Sequence, residues 1–331
     1  MLHFEKNEIL NLKSKFENKK IAVIGDMMLD GYYWGDVKRI SPEAPVPVVE
    51  IEKEFFRFGG AANVILNIKS LGGIPYPIGI IGDDQEGTIF KRLLDEYDID
   101  SSGLIVSTER PTTVKIRVIA NKQHIVRIDK EVKDNINADL ELQVIEKFNS
   151  ILSELDAVIL EDYNKGVLTE YVITESIKSA NKENKIIAVD PKFINFFSYE
   201  NVTVFKPNKK ESEDAFNMRI VTDDDVKKVG SKLIQKLNAK HILITLGDQG
   251  LALFNSENKL LRIPTKARKV ADVSGAGDTV IATLTMALAS GINISDAAYL
   301  ANFAGGLVCE EMGIVPINPD NLIAELLEEL V

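Results

Sequence analysis

Short apolar segments alternate with amphipathic segments of helical spacing through most of the chain. The apolar segments are continuous and rich in Val and Ile, which is typical of strands buried on both faces of a parallel sheet. They lie at 20–26, 76–82, 156–160, 185–189, 202–205 and 241–245. The amphipathic segments predict helices at 2–18, 59–71, 85–97, 137–154, 169–182, 223–237, 295–311 and 318–330. This alternation predicts an α/β fold with a mostly parallel central sheet.

Two segments depart from this alternation. Residues 41–58 begin with three prolines, which exclude a helix and a central strand at 42–47, and then alternate between apolar and polar side chains. Residues 104–129 contain a second alternating stretch, which predicts an antiparallel hairpin with a polar turn at 121–123. Together the two segments predict a small accessory sheet beside the main one.

Composition narrows the range of partners. The 331-residue chain carries 39 Lys and Arg against 50 Asp and Glu, a net charge of −11, so it is a poor candidate for nonspecific binding to nucleic acid or membrane surfaces. Its single cysteine, Cys309, excludes an internal disulfide and suits a reducing compartment. The charged N-terminal segment lacks the apolar run of a signal peptide, and no apolar stretch is long enough to span a bilayer. These features predict a cytoplasmic protein that binds small molecules.

The segment 272–279 carries the most specific chemistry. Gly275, Ala276 and Gly277 precede Asp278, and apolar residues at helical spacing follow. A glycine-rich helix start offers backbone N–H groups to a phosphate. A carboxylate repels an anion there, unless it accepts the proton of an attacking hydroxyl while the N–H groups hold the transferring phosphoryl. An ordinary helix cap, with Ser274 or Asp278 satisfying the N–H groups, is the alternative interpretation.

Polar residues follow several of the predicted strands. Because the carboxyl ends of parallel strands meet at one edge of a sheet, we expect these residues to form a site together with Asp278. They are Asp26 with Asp30, Asp162, Asp190 with Lys192, and Asn208 with Glu211. Asp26 or Asp30 alone suits a turn or a cap equally well, but carboxylates also accept hydrogen bonds from sugar hydroxyls.

Two further groups have both a functional and a structural interpretation. Gly59 and Gly60 open a predicted helix with Asn63 in its first turn, which suits either contact with a substrate or close packing against the sheet. Arg117 and Arg127, in the predicted hairpin, suit either an anionic ligand or exposed edge charges that discourage strand pairing.

These motifs together resemble the ribokinase-type (PfkB) sugar kinases over essentially the whole chain. Residues 59–63 look like the first signature of that family, 272–279 look like its second, and 208–211 fit its Asn-x-x-Glu motif. The resemblance implies one ribokinase-like kinase domain over 1–331, with helices on both faces of the sheet. It also implies a β-sheet lid formed by segments at about 41–58 and 104–129.

Within the family, residues 25–30 and 40–48 resemble the members that act on D-glycero-D-manno-heptose 7-phosphate. Those kinases phosphorylate its anomeric C1 hydroxyl to give the 1,7-bisphosphate in ADP-heptose biosynthesis, a route to lipopolysaccharide. The segments 162–166 and 190–192 are also similar to those kinases. The resemblance implies ATP and Mg²⁺ as cofactors, a sugar phosphate as substrate and a homodimer formed through the lid, and it leaves a K⁺ requirement open.

The resemblance also implies a role for each candidate residue. Asp278 is the expected base, and the N–H groups of Gly275, Ala276 and Gly277 are expected to stabilise the transferring phosphoryl. The other residues are grouped by ligand: Asn208 and Glu211 for ATP phosphates and, indirectly, Mg²⁺; Thr245 and Gly247 for the nucleotide; Asp30, Gly59, Gly60, Asn63 and Asp190 for the sugar; and Lys192, Arg117 and Arg127 for the phosphate of the sugar.

Other interpretations stay open at this point. Many relatives are fused to a nucleotidyltransferase half that the sequence lacks, so we expect a stand-alone kinase served by a separate nucleotidyltransferase. Glu161 stands where relatives often have a small residue. A kinase for another sugar, such as ribose or a fructose phosphate, is the nearest alternative. A noncatalytic sugar- or nucleotide-binding protein has no need of Asp278, and an NAD-dependent enzyme is disfavoured because the first strand lacks the Gly-x-Gly-x-x-Gly motif.

Overall fold

The computed structural model describes residues 5–121, 123–255, 259–265 and 270–329. Within these residues the chain forms strands that belong to two separate sheets. In chain order the strands are β1 (Lys20–Gly25), β2 (Met27–Ile40), β3 (Pro47–Gly60), β4 (Ile74–Gly82), β5 (Leu104–Ser107), β6 (Thr113–Ala120), β7 (Gln123–Lys130), β8 (Ala157–Glu161), β9 (Ile186–Asp190), β10 (Val204–Phe205), β11 (His241–Thr245), β12 (Leu251–Asn255) and β13 (Leu260–Ile263).

The larger sheet runs in the order β13-β12-β11-β10-β9-β8-β1-β4-β5. Its strands from β11 to β5 are parallel, and β12 and β13 add an antiparallel edge. The prediction of a mostly parallel central sheet is therefore confirmed. The carboxyl ends of β1, β8, β9, β10 and β11 lie next to one another, which brings the polar residues that follow them to one edge.

Helices cover both faces of this sheet. The helices of the described residues are α1 (Lys6–Leu10), α2 (Leu12–Phe16), α3 (Ala61–Ser70), α4 (Gln85–Glu96), α5 (Ala138–Ile151), α6 (Glu170–Lys182), α7 (Lys209–Phe216), α8 (Asp223–Leu237), α9 (Ala276–Ala289), α10 (Ile294–Val308) and α11 (Pro319–Glu328). Successive strand residues point to opposite faces of the sheet. Val23 and Ile159 therefore pack with α3, α9 and α10, while Ile24 and Val158 pack with α5, α6 and α8.

The helical predictions are confirmed with one exception. The helix predicted at 2–18 is divided at Asn11 into α1 and α2, and residues 2–4 lie outside the described part of the chain. Among the described residues, every helix is too short or too polar to cross a membrane.

The smaller sheet, which we call the accessory sheet, has the order β3-β2-β6-β7. Its β6–β7 hairpin confirms the predicted antiparallel hairpin. Strand β2 was not predicted, because Tyr32, Tyr33 and Trp34 stand in a row and interrupt any two-residue alternation. It pairs with β3 on one side and β6 on the other. Residues 104–107 form β5 of the larger sheet instead of part of the hairpin, since four residues are too few to distinguish the two by pattern.

Asp26 fastens the end of β1 to the loop that follows β8. Its buried carboxylate accepts backbone N–H groups of Tyr163 at 2.8 Å, Lys165 at 3.0 Å and Val167 at 3.2 Å. Asp26 therefore has a structural role in fixing this loop, and the sugar-binding interpretation of Asp26 is not supported.

We expect Asp26→Ala to lower the free energy of unfolding by roughly 3 kcal/mol, because three buried N–H groups lose their acceptor. Chemical denaturation of the native chain and the variant measures the difference. Asp95→Ala, at an exposed position on α4, is the matched control and is expected to change little. Equal denaturation midpoints for the two variants would show that Asp26 does not fasten the loop.

Candidate active site

Asp278 lies in the first turn of α9 and is only 4% exposed. Its Oδ2 accepts a hydrogen bond from Asn63 Nδ2 at 2.7 Å, and its Oδ1 accepts one from the Tyr163 hydroxyl at 2.6 Å. Burial raises the pKa of Asp278 to about 6, against the opposing effect of these two hydrogen bonds. The group is therefore ionised near neutral pH and basic enough to accept a proton.

The start of α9 has the backbone geometry of an anion seat. Gly275, at the N-cap position, has a φ of +80°, and a Cβ there would lie 2.8 Å from Asn63 Nδ2. Within the part of the chain that the structure describes, no side chain caps this first turn, and both Asp278 oxygens accept from side chains of other elements. The capping interpretation of Asp278 is thus wrong, and the N–H groups around Ala276 and Gly277 lie at the positive end of the helix.

Asn63 connects the two glycine-rich helix starts. It is fully buried in the first turn of α3, and the Asn67 side chain donates to its backbone oxygen at 2.8 Å. Thr279, the neighbour of Asp278, donates to Asn67 at 3.1 Å. The predicted substrate residue Asn63 therefore holds the carboxylate of Asp278 directly in this structure.

Gly59 and Gly60 let β3 approach β2 closely before α3 begins. A Cβ on Gly59 would lie 2.3 Å from Asp30 Oδ2, and one on Gly60 would lie 2.8 Å from the Asp26 carbonyl oxygen. Gly60 also has a φ of +55°, which a side chain would strain. Close packing thus accounts for both glycines and sets the position of Asn63 and Asp30.

Asp30 is buried on β2 and forms an ion pair with Arg117 of β6. Burial raises the pKa of Asp30, and the Arg117 charge opposes that effect. Arg127 lies opposite Arg117 in the β6–β7 register, but its exposed guanidinium binds Asp129 at 2.9 and 3.0 Å. The structure therefore brings Asp30 and Arg117 together and favours the edge-charge interpretation for Arg127.

Asp190, at the end of β9, lies close to Asp278, and the Nζ atom of Lys192 lies 3.9 Å from Asp190 Oδ1. Glu161, Asp190 and Asp278 each place one carboxylate oxygen within 4.8 Å of the others. Asp190 forms an ion pair with Lys206 at 2.7 Å, and Lys192 forms one with Glu211 at 2.8 Å. The expected convergence of the strand ends is confirmed for these residues.

Sequence reasoning missed the importance of Glu161 and Lys206. Glu161 is fully buried, and neither carboxylate oxygen has a hydrogen-bond partner among the described residues. Burial, reinforced by the charges of Asp190 and Asp278, raises the pKa of Glu161 well above its ordinary value, which favours its protonated form. Each residue stands at or just after the end of a strand, β8 and β10, and that position was the available signal.

Asp162, by contrast, has a structural role. It accepts the backbone N–H of Asn164 at 2.7 Å and the Tyr199 hydroxyl at 2.8 Å. Together with Asp26, it corrects the expectation that every polar strand end contributes to the site. In both cases the carboxylate shapes the loop after β8.

Asn208 and Glu211 form a capping box at the start of α7. Glu211 N donates to Asn208 Oδ1 and Asn208 N donates to Glu211 Oε2, each at 2.8 Å. Thr245 forms an isolated parallel bridge with Asn208, and exposed Gly247 has a φ of +64° in the turn that follows. The four predicted nucleotide residues thus lie side by side at the ends of neighbouring strands, β10 and β11.

The comparisons with known proteins agree with this geometry. The sequence pattern of the pfkB family carbohydrate kinases matches residues 18–321. The bifunctional protein HldE of Helicobacter pylori (strain HPAG1) is 43% identical over 295 residues, or 89% of this chain and 64% of that protein. HldE of Geobacter sulfurreducens is 40% identical over 304 residues, which cover 92% of this chain and 62% of that protein. The chain therefore spans less than two thirds of the length of these curated relatives.

A solved structure supports the same assignment at the level of the fold. Phosphofructokinase-2 from Escherichia coli, in complex with potassium, superposes with a TM-score of 0.76 at 22% identity, covering 93% of this chain and 99% of that one. The fold is therefore the ribokinase-like α/β fold predicted from the sequence. The chain belongs to the pfkB family of carbohydrate kinases and is an ATP-dependent carbohydrate kinase.

Proposed function

We propose that this kinase transfers the γ-phosphoryl group of ATP to the anomeric C1 hydroxyl of D-glycero-D-manno-heptose 7-phosphate. The product would be the 1,7-bisphosphate, an intermediate of ADP-heptose biosynthesis. The observation that carries the proposal is the buried carboxylate of Asp278, held in the first turn of α9 by Asn63 and Tyr163 and close to Asp190, which in turn lies 3.9 Å from Lys192. The resemblance of 25–30 and 40–48 to heptose phosphate kinases, together with 43% identity to an HldE protein, supports the choice of sugar.

The proposed transfer is a single displacement step in which Asp278 takes up the proton that the sugar hydroxyl loses. The sugar hydroxyl gives its proton to Asp278, its oxygen forms the new bond to the γ-phosphorus, and the bond from that phosphorus to ADP breaks. The N–H groups at Gly275, Ala276 and Gly277 stabilise the charge on the transferring phosphoryl. Positioning and charge stabilisation therefore supply most of the rate enhancement.

Asn208 and Glu211 would hold Mg²⁺ through water beside the ATP phosphates. Both residues carry side-chain oxygen atoms, the donors that Mg²⁺ prefers. The Oε1 atom of Glu211 also lies 2.8 Å from the Nζ atom of Lys192. When bound, Mg²⁺ neutralises negative charge on the phosphates. Thr245 and Gly247, beside Asn208, would line the nucleotide site.

The accessory sheet would act as a lid over the bound sugar. Strand β2 carries Asp30 and strand β6 carries Arg117 to the same place, so a sugar bound there would lie under the sheet and away from water. Asp30 would accept hydrogen bonds from sugar hydroxyls, as would Asn63 and the backbone near Gly59 and Gly60. Arg117 and Lys192 are the cations that we assign to the phosphate of the sugar.

We expect ADP release, measured with ATP and Mg²⁺, to favour heptose 7-phosphate over fructose 6-phosphate, fructose 1-phosphate, ribose and fructose by about tenfold or more in kcat/KM.

The variant Asp278→Asn tests the assignment of the base. It should lower turnover by roughly 10²- to 10⁴-fold, since the proton acceptor is lost. ATP should still raise the melting temperature of that variant, because the nucleotide site is intact.

Preference for a different sugar would retain the role of Asp278 and overturn the heptose assignment. Undiminished turnover in Asp278→Asn would overturn the base. No turnover of any of the five sugars, with a melting temperature that ATP still raises, would favour the noncatalytic binding protein.

We propose also that two copies of the chain associate through the accessory sheet. Large apolar side chains are exposed on three strands of the accessory sheet. Exposed apolar patches of this kind typically mark a surface that binds another protein chain. They are Trp34 and Ile40 of β2, Ile51 of β3, and Val126 and Ile128 of β7. A homodimer would cover these side chains.

Light scattering at micromolar concentration should therefore give a dimer for the native chain. The double variant Val126→Lys with Ile128→Lys should give a monomer, because it places four like charges in the symmetric interface. Leu142→Lys, at an equally exposed position on α5, is the matched control and should remain dimeric. A monomeric native chain would refute the proposal.

A further inference from the structure

The hydroxyl of Tyr163 donates to the very carboxylate that must accept the proton of the sugar. It lies 2.6 Å from Asp278 Oδ1, while Asn63 occupies Oδ2 at 2.7 Å. Burial raises the pKa of Tyr163 well above its ordinary value, with the negative charge of Asp278 adding to the effect. The hydroxyl therefore stays protonated and remains a donor at every pH at which Asp278 can act as a base.

Buried groups surround the carboxylate of Asp278. One oxygen each of Glu161 and Asp190 lies within 4.8 Å of an Asp278 oxygen, and Glu161 is fully buried. Asn63, on the other oxygen of Asp278, is also fully buried, whereas Tyr163 is partly exposed. The Tyr163 hydroxyl therefore marks the more accessible of the two occupied oxygens.

Two cations lie close to the Tyr163 ring. Lys192 Nζ lies 5.2 Å and Lys115 Nζ lies 5.7 Å from the centre of the ring. The backbone N–H of Tyr163 is fixed by Asp26 at 2.8 Å. Rotation of the side chain can thus release Asp278 without movement of the loop.

We propose that Tyr163 is a placeholder for the sugar hydroxyl: it caps Asp278 until a sugar replaces it. The proposal rests on the assignment of Asp278 as the base. The phosphate of a sugar, which we assign to Arg117 and Lys192, would also attract Lys115. Lys192 is ion-paired with Glu211 as well, but both lysines lie near the Tyr163 ring, so a ligand that draws them toward its phosphate would also loosen the contacts of Tyr163. Specificity for a phosphorylated sugar and exposure of the base are then coupled.

The cap would also limit the waste of ATP. Without a sugar, a water molecule can attack the γ-phosphorus only if Asp278 accepts a water proton as the new P–O bond forms and the bond to ADP breaks. A water molecule competes poorly with a hydroxyl that the protein itself holds at that oxygen until a sugar binds. Removing the Tyr163 hydroxyl should therefore accelerate hydrolysis.

The test measures ATP hydrolysis in the absence of sugar. Tyr163→Phe should raise this rate by about tenfold, the factor that corresponds to one hydrogen bond, and should lower the KM for the sugar. The double variant Tyr163→Phe with Asp278→Asn should lose the increase. Tyr199→Phe is the matched control, because it removes a buried hydroxyl that donates to Asp162, the chain neighbour of Tyr163. It should leave the rate of ATP hydrolysis and the KM for the sugar unchanged.

Two results would overturn the proposal. A lower kcat for the sugar with unchanged hydrolysis would mean that Tyr163 positions Asp278 during the transfer, and unchanged values of both would mean that its hydroxyl only packs. Melting temperatures of the variants exclude misfolding as the cause. If the native chain phosphorylates no sugar, the proposed function fails, whereas the comparison of hydrolysis rates still decides whether Tyr163 caps Asp278.

Discussion

An ionised carboxylate buried at the start of a helix is unfavourable unless hydrogen bonds and helix N–H groups stabilise it, and Asp278 is in that position. The elements around it are arranged to meet this requirement. Helix α3 supplies Asn63, the loop after β8 supplies Tyr163, and Gly275 lets α9 begin against Asn63 without a clash. Asp26 in turn fixes the loop that carries Tyr163. Residues that follow β1, β3 and β8 and residues at the start of α9 therefore all help to stabilise the carboxylate of Asp278.

Burial explains why the pKa of Asp278 is raised to about 6, and nearby charges adjust it. The charge of Asp190 raises the pKa of Asp278 further, whereas Lys206, which is ion-paired with Asp190 and only 3% exposed, lowers it. Among the described residues, neither carboxylate oxygen of Glu161 has a hydrogen-bond partner, and burial raises the pKa of Glu161 well above its ordinary value. That direction favours the protonated form of Glu161, whereas a second ionised carboxylate there would make Asp278 harder to ionise.

The sequence was sufficient to predict the elements whose physics is local. Continuous Val- and Ile-rich segments identified the buried parallel strands, and the glycine-rich segments at Gly60 and Gly275 identified where α3 and α9 begin. It did not reveal β2, because aromatic residues in succession carry no alternation, and pairing with β3 and β6 decides its conformation. Long-range pairing of this kind leaves no trace in a local pattern.

Side-chain partners were harder to predict than positions. Asp26 and Asp30 stand four residues apart with similar surroundings in sequence, yet one binds three backbone N–H groups and the other binds Arg117. Tyr163 gave no signal of its own, since Asp278, its partner, stands 115 positions further along the chain. Such contacts are set by topology, which sequence spacing does not encode.

The dependence of kcat/KM on pH, corrected for the separately measured titration of the sugar phosphate, tests the central claim most directly. Asp278 must be ionised to accept a proton, so the account predicts that kcat/KM falls about tenfold per pH unit below a limb at pH about 6. In Asp278→Asn the residual activity should lack this limb. A native profile that stays flat down to the ordinary pKa of an aspartate, about 4, or a limb that persists in Asp278→Asn, would contradict the role of Asp278 as the base.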